Sequence, residues 1–264
     1  MVHGIQTEIA VEDADTVIVM STLAVVTSSK VVVVAEDTDI LVLLCHHCES
    51  DNIFFKSSKG YHNIASIRNV LAPPVLTWLL FLYVWGGCDT TSVIFCKGKT
   101  SLIEMYSIFP PEVIFKFYQR ESTVEDITNA GILIMTQLYG GDPNQTTLGR
   151  MRYLAYCKQV STGNLAPERL PPTSGAAAQH SLRVHTQMCD WISLKTQEID
   201  PVGRGWELSE DATRLVPVTT DYKIAPESLL KIICCNCKSG DKQCGTNPIL
   251  YINNQFKCLF HSPC

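Results

Sequence analysis

The 264-residue chain has no excess of positive charge: 21 lysines and arginines stand against 26 acidic residues, for a formal net charge of −5. Without a basic stripe, tight non-specific binding to a nucleic-acid backbone is disfavoured. No apolar run is long enough to cross a bilayer, since the longest, Val75 to Trp85, has eleven residues where a spanning helix needs roughly 20. The first twenty residues also lack the apolar stretch of a secretory leader and carry Glu8, Glu12, Asp13 and Asp15 instead. These absences point to an intracellular protein with reduced thiols and no membrane partner. No internal repeat or low-complexity tract interrupts it. With 46% apolar and 18% charged residues, the chain has the composition of a globular protein with a buried core.

The acidic excess is local. Residues 1–110 hold 11 acidic and 6 basic side chains, whereas 111–264 hold 15 of each. Asp15 to Val26 reads as a helix with acidic residues at its N-terminus, and Val31 to Ala35 as a buried strand. Ile53 to Phe55 suggests a second strand, and Ile64 to Leu71 has helical spacing. Pro73 and Pro74 open a buried helix or strand that stops at Gly86 and Gly87. Helices are expected at 100–108, 124–139, 148–160 and 176–194, and an irregular segment at 200–228. The expected fold is therefore α/β: a small twisted parallel sheet within residues 1–110, a helical extension over 111–195, an irregular linker over 196–230 and a cysteine-rich tail over 231–264.

Three acidic groups punctuate the first part: Glu12-Asp13-Ala14-Asp15, Glu36-Asp37-Thr38-Asp39, and Asp89 after Gly86-Gly87-Cys88. Each adjoins an apolar element, and open α/β sheets place functional groups just beyond strand ends. Carboxylates converging there suit hard divalent cations and metal-assisted phosphodiester hydrolysis. The same residues could equally cap helices and solvate turns.

In order and spacing, Asp13-Ala14-Asp15, Asp37-Thr38-Asp39 and Gly87-Cys88-Asp89 resemble the acidic motifs of PIN-like nucleases of the flap-endonuclease (XPG) type. The sequence is also similar to a group of PIN-like animal proteins associated with mobile elements and carrying a C-terminal tesmin-type CXC module. That pattern runs through Ala35-Glu36-Asp37-Thr38-Asp39, Gly87-Cys88-Asp89-Thr90-Thr91-Ser92, Leu138-Tyr139-Gly140-Gly141, Leu170-Pro171-Pro172-Thr173-Ser174, His180-Ser181-Leu182-Arg183 and Cys235-Asn236-Cys237-Lys238. The resemblance implies a nuclease dependent on Mg²⁺ or Mn²⁺. Asp37, Asp39 and Asp89 would be catalytic, and Asp13 and Asp15 would complete the metal site. Lys97, Gly98 and Lys99 would hold the backbone of a DNA or RNA partner, and a nuclear location would follow. Two departures stand out: a first strand bearing a further aspartate is missing before Glu8, and Cys96 occupies a position where the pattern has glycine. They support a rival reading, an inactive remnant that binds nucleic acid or protein. The sequence leaves the oligomeric state open.

Six of the twelve cysteines fall between Cys234 and Cys264. Thiolates at short spacing suit tetrahedral zinc, and the CXC resemblance marks Cys235, Cys237, Cys244 and Cys258 as ligands. Ile249 and Tyr251 stand where the module has cysteine, so the choice is between one zinc and a degenerate tail with free thiols. Cys45-His46-His47-Cys48 is read as structural, because adjacent helical residues point about 100° apart. The four tryptophans are read as packing residues, and His180, Arg183 and His185 as phosphate contacts or a solvated helix face.

Overall fold

The structure, a computed structural model, describes residues 7–10, 13–27, 29–163, 166–195 and 198–220, together with the backbone of four short strands between 238 and 258. It divides into two units, Met1–Asp221 and Tyr222–Cys264.

In the first unit, α1 (Asp15–Val25) leads into β1 (Val31–Val34), and α2 (Thr38–His47) carries the chain to β2 (Ile53–Ser57). β1 and β2 pair in parallel, Val31 opposite Ile53, as a crossover through a helix dictates. The sheet is nevertheless mixed. β3 (Gly60–Asn63) returns antiparallel to β2, because two residues between Ser57 and Gly60 allow a hairpin and nothing longer. β1 forms the sheet's edge among the described residues, with Val34 73% exposed.

Asn63 ends β3 and caps α3 (Ile64–Val70), accepting a hydrogen bond from Ser66 N. The apolar run that follows resolves as two short helices, α4 (Pro73–Thr77) and α5 (Leu79–Trp85). Pro73 and Pro74 fit the first turn of α4, and nearly every side chain of α5 is buried. Then come α6 (Lys99–Met105), α7 (Pro111–Phe115), α8 (Val124–Leu138), α9 (Leu148–Ser161) and α10 (Ser174–Ser193). α8 opens on a capping box in which Thr123 and Asp126 satisfy each other's backbone N–H.

The helical extension is not a separate body. Phe81 and Trp85 of α5 meet Phe117 at ring-centroid distances of 5.1 and 5.6 Å, and α10 packs on both α5 and α8. One hydrophobic core therefore crosses residue 110 and reaches Trp191. α8 and α10 approach so closely that a Cβ on Gly131 would lie 1.7 Å from Ser181 Oγ. The segment expected to be irregular contains a hairpin, β4 (Trp206–Leu208) with β5 (Leu215–Pro217).

The second unit contains two antiparallel hairpins, β6 (Lys238–Ser239) with β7 (Lys242–Gln243) and β8 (Ile249–Ile252) with β9 (Gln255–Cys258). Among the described residues, no helix is long and apolar enough to cross a membrane.

Candidate metal centre

β1 ends at Val34, and Asp37 caps the helix that follows. Its φ and ψ are extended, and its carboxylate accepts a hydrogen bond from Asp39 N at 2.9 Å. Asp39 thereby sits in the first turn of α2. Asp13 makes the same short-range bond to Asp15 N at 3.2 Å, placing Asp15 at the start of α1. The packing of α1 on α2 then brings two helix N-termini together. One oxygen from each of Asp15, Asp37 and Asp39 lies within 4.8 Å of the others, a separation that a single cation with ordinary metal–oxygen distances of about 2.0–2.6 Å can bridge.

Asp15 and Asp39 are each 8% exposed, while Asp37 is open. Burial pushes the Asp15 carboxyl up to about 7, and the charges of Asp13, Asp37, Asp39 and Asp89 push in the same direction. No cation or hydrogen-bond donor reaches the Asp15 carboxylate among the described residues. Asp39 is also raised by burial, but two groups oppose the shift. Tyr83 OH donates to Asp39 Oδ1 at 2.6 Å, and Lys99 lies close enough to stabilise its charge. Lys99 Nζ stands 3.7 Å over the Tyr83 ring.

Of the five acids singled out from the sequence, the structure thus brings Asp15, Asp37 and Asp39 to ligand distance. Asp13 positions Asp15, and Asp89 is exposed at the periphery, where its charge is felt at Asp15 and Asp39. Glu36, beside them in sequence, turns away and accepts bonds from Ser58 N and Oγ at the β2–β3 turn.

The turn carrying Asp89 accounts for its sequence pattern. Gly87 has φ +104°, and a Cβ there would lie 2.7 Å from Val93 Cγ2. Thr91 Oγ1 donates to Val84 O and accepts from Cys88 N, Thr90 Oγ1 donates to Gln187 Oε1, and Ser92 Oγ accepts from Arg183. Three consecutive hydroxyls therefore fasten this turn to α5 and α10. Farther on, Lys97 Nζ lies 5.7 Å from the Tyr139 ring centroid. Gly98 has an ordinary φ of −75° and open space on the side where a Cβ would project, so nothing in its surroundings requires glycine.

Tyr83 escapes the sequence reading; its signal is a hydroxyl among the buried apolar side chains of α5. His180, Arg183 and His185 do not form a solvated face: they are 4%, 4% and 0% exposed. A phosphate contact at His185 is disfavoured as well, because its ring nitrogens meet Gln119 O and Arg204. Cys45 and Cys48 are buried, their thiols pushed up to about 11 by burial, which is no setting for metal thiolates. Cys235, Cys237 and Cys244 lie outside the described residues, and of Cys258 only the backbone in β9 is described. Compared with protein-family models, curated proteins and solved structures, the chain matches none.

Proposed function

We propose that the first unit is a PIN-like domain that binds Mg²⁺ or Mn²⁺ at Asp15, Asp37 and Asp39 and hydrolyses phosphodiester bonds of nucleic acid. The observation that carries this reading is the buried Asp15 carboxylate, held against two others with no cation in contact with it among the described residues. Such an arrangement is unfavourable by itself and becomes favourable with a cation among the three. A bound ion there would supply an activated water and neutralise charge on the leaving oxygen. The chain's own groups do the rest. Tyr83 and Lys99 favour the ionised form of Asp39 against the effect of its burial, Asp13 fixes the start of α1, and the clamped turn keeps Asp89 near the centre. Lys97 and Lys99, steadied on Tyr139 and Tyr83, offer ammonium groups to a backbone phosphate.

The test is cleavage of single-stranded and flap substrates of DNA and RNA with Mn²⁺, by the chain and by the double variant Asp37→Asn, Asp39→Asn. Cleavage lost in the variant with the fold intact supports the reading; cleavage that persists in the variant ends it.

A second reading, an inactive remnant binding nucleic acid or protein, is favoured by two observations. Cys96 holds φ +56°, a strained conformation for a residue with a side chain, in the segment that presents Lys97. Among the described residues the valine edge of β1 is also unpaired, which suits strand addition by a partner better than solvent. Inactivity with both ions on all substrates selects this second reading.

A further inference from the structure

A helix packed on a protein's surface ordinarily turns acidic, basic and uncharged polar side chains to solvent. α9 does not. Its half-buried residues, Met151, Arg152, Ala155 and Gln159, share one side at helical spacing. The remaining surface carries Arg150, Tyr153, Leu154, Tyr156, Lys158 and Val160, all exposed, Tyr153 to 63% and Tyr156 to 44%. It has no carboxylate. No acidic residue occurs between Asp142 and Glu168, where Arg150, Arg152 and Lys158 stand, or between Asp89 and Glu104, where Lys97 and Lys99 stand. The two stretches meet at Tyr139. Lys97 Nζ lies 5.7 Å from its ring centroid, and the charge of Arg152, whose guanidinium donates to Pro171 O, acts on its hydroxyl. None of these five cations is ion-paired within 4.0 Å among the described residues. In a chain of net charge −5, positive charge is thus gathered along a path that begins beside the acidic centre, where Lys99 acts on Asp39, and ends on α9.

Charge and its arrangement decide among the partners that such a face could meet. A second copy of the chain would set two cationic faces together and be repelled. An anionic membrane calls for an apolar stripe separate from the basic one. Around α9, at about 100° per residue, Arg150 instead falls between Tyr153 and Leu154, and Lys158 lies just beyond Leu154. Rings interleaved with basic groups suit a single nucleic-acid strand, whose phosphates take the cations and whose bases stack on aromatic faces. Arg150 and Lys158 stand about 12 Å apart along the helix axis, at about 1.5 Å per residue, with both tyrosines between them. The cationic path is short and local, in keeping with a chain whose overall charge disfavours tight non-specific binding.

We infer that the exposed face of α9 is a contact for a single nucleic-acid strand, which runs from the acidic centre past Lys99 and Lys97, lays phosphates on Arg150 and Lys158 and stacks bases on Tyr153 and Tyr156. The inference rests on the nucleic-acid reading above and adds where the strand is gripped away from the metal. It is tested on the full chain in EDTA by fluorescence anisotropy of labelled oligothymidylate and oligouridylate, with an abasic strand of equal length and polyglutamate as controls. The oligonucleotide should bind more tightly than the abasic strand, and polyglutamate should not displace it. Tyr153→Ser with Tyr156→Ser should weaken binding about fivefold or more. Arg150→Gln with Lys158→Gln should lower the slope of log affinity against log salt by about 1.4, two phosphates at about 0.7 each. All four side chains are exposed, so both variants should keep the wild-type melting temperature. No binding, binding that either pair of changes leaves intact, an abasic strand held as tightly, or displacement by polyglutamate overturns the inference. Strand binding in EDTA by a chain that takes up no Mn²⁺ would defeat the metal reading alone. Mn²⁺-dependent cleavage by a chain whose α9 variants bind as wild type would defeat the α9 contact alone.

Discussion

Replacing Asp15 by asparagine should stabilise the metal-free protein and at the same time destroy its response to metal. A carboxyl moved from 3.8 to about 7 is destabilised as an anion by about 4 kcal/mol at 1.36 kcal/mol per pK unit. Asp37, one of the charges facing it, is open to solvent, which reduces the figure to about 2 kcal/mol. Losing a favourable negative charge at the start of α1 takes back about 0.5 kcal/mol. The net gain of about 1.5 kcal/mol corresponds to about 3 to 6 °C in melting temperature for a unit of this size. The sign follows from linkage. The folded pKa is raised above the unfolded one, so wild type binds more protons folded than unfolded between about 4 and 7, and its stability falls as pH rises through that window. Asp15→Asn lacks this fall. Thermal melts in EDTA at pH 4 and pH 8 should therefore show little difference at the lower pH and the full gain at the higher. Adding Mn²⁺ at pH 8 should raise the wild-type melting temperature and leave the variant unmoved, since a ligand stabilises only the state that binds it. A variant less stable than wild type at pH 8 in EDTA, or one that melts higher with Mn²⁺, would refute the reasoning.

Tyr83→Phe removes the 2.6 Å hydrogen bond to Asp39 and should lower stability by about 1.5 to 3 kcal/mol, measured by urea unfolding at pH 8, with a further rise in the Asp39 pKa seen by carboxyl NMR. Cys96→Gly relieves the side-chain strain at φ +56° and should raise stability by about 0.5 to 1 kcal/mol in the same assay. Gly131→Ala would place a methyl 1.7 Å from Ser181 Oγ and 2.4 Å from Ser181 Cβ, and should cost about 3 kcal/mol by forcing α8 from α10.

What can be read from the sequence is local. The four valines of β1 announce a strand, because β-branching is a local preference, although the strand expected to be buried lies at the sheet's edge with only Val33 buried. The acids near strand and helix ends are legible locally as well. Their sorting is not, since Asp15 joins Asp37 and Asp39 through the packing of α1 on α2, whereas Asp89 is set by a turn fastened to distant α10. The α10 face misleads for a physical reason: histidine and arginine favour solvent on average, and only the β4–β5 hairpin and the Asp89 turn, both remote in sequence, supply the carbonyls and hydroxyl that allow Arg183 to be buried. Tyr83 acquires a role from a contact 44 positions away.

The central claim, that Asp15, Asp37 and Asp39 bind a divalent cation, is tested most directly by titrating Mn²⁺ into the full chain at pH 8 and following the free ion by electron paramagnetic resonance. Saturable binding that disappears in the Asp37→Asn, Asp39→Asn double variant is the predicted result, and its affinity should weaken as pH falls below about 7, where a proton competes for Asp15. Absence of saturable binding at pH 8, or binding retained by the double variant, would contradict it.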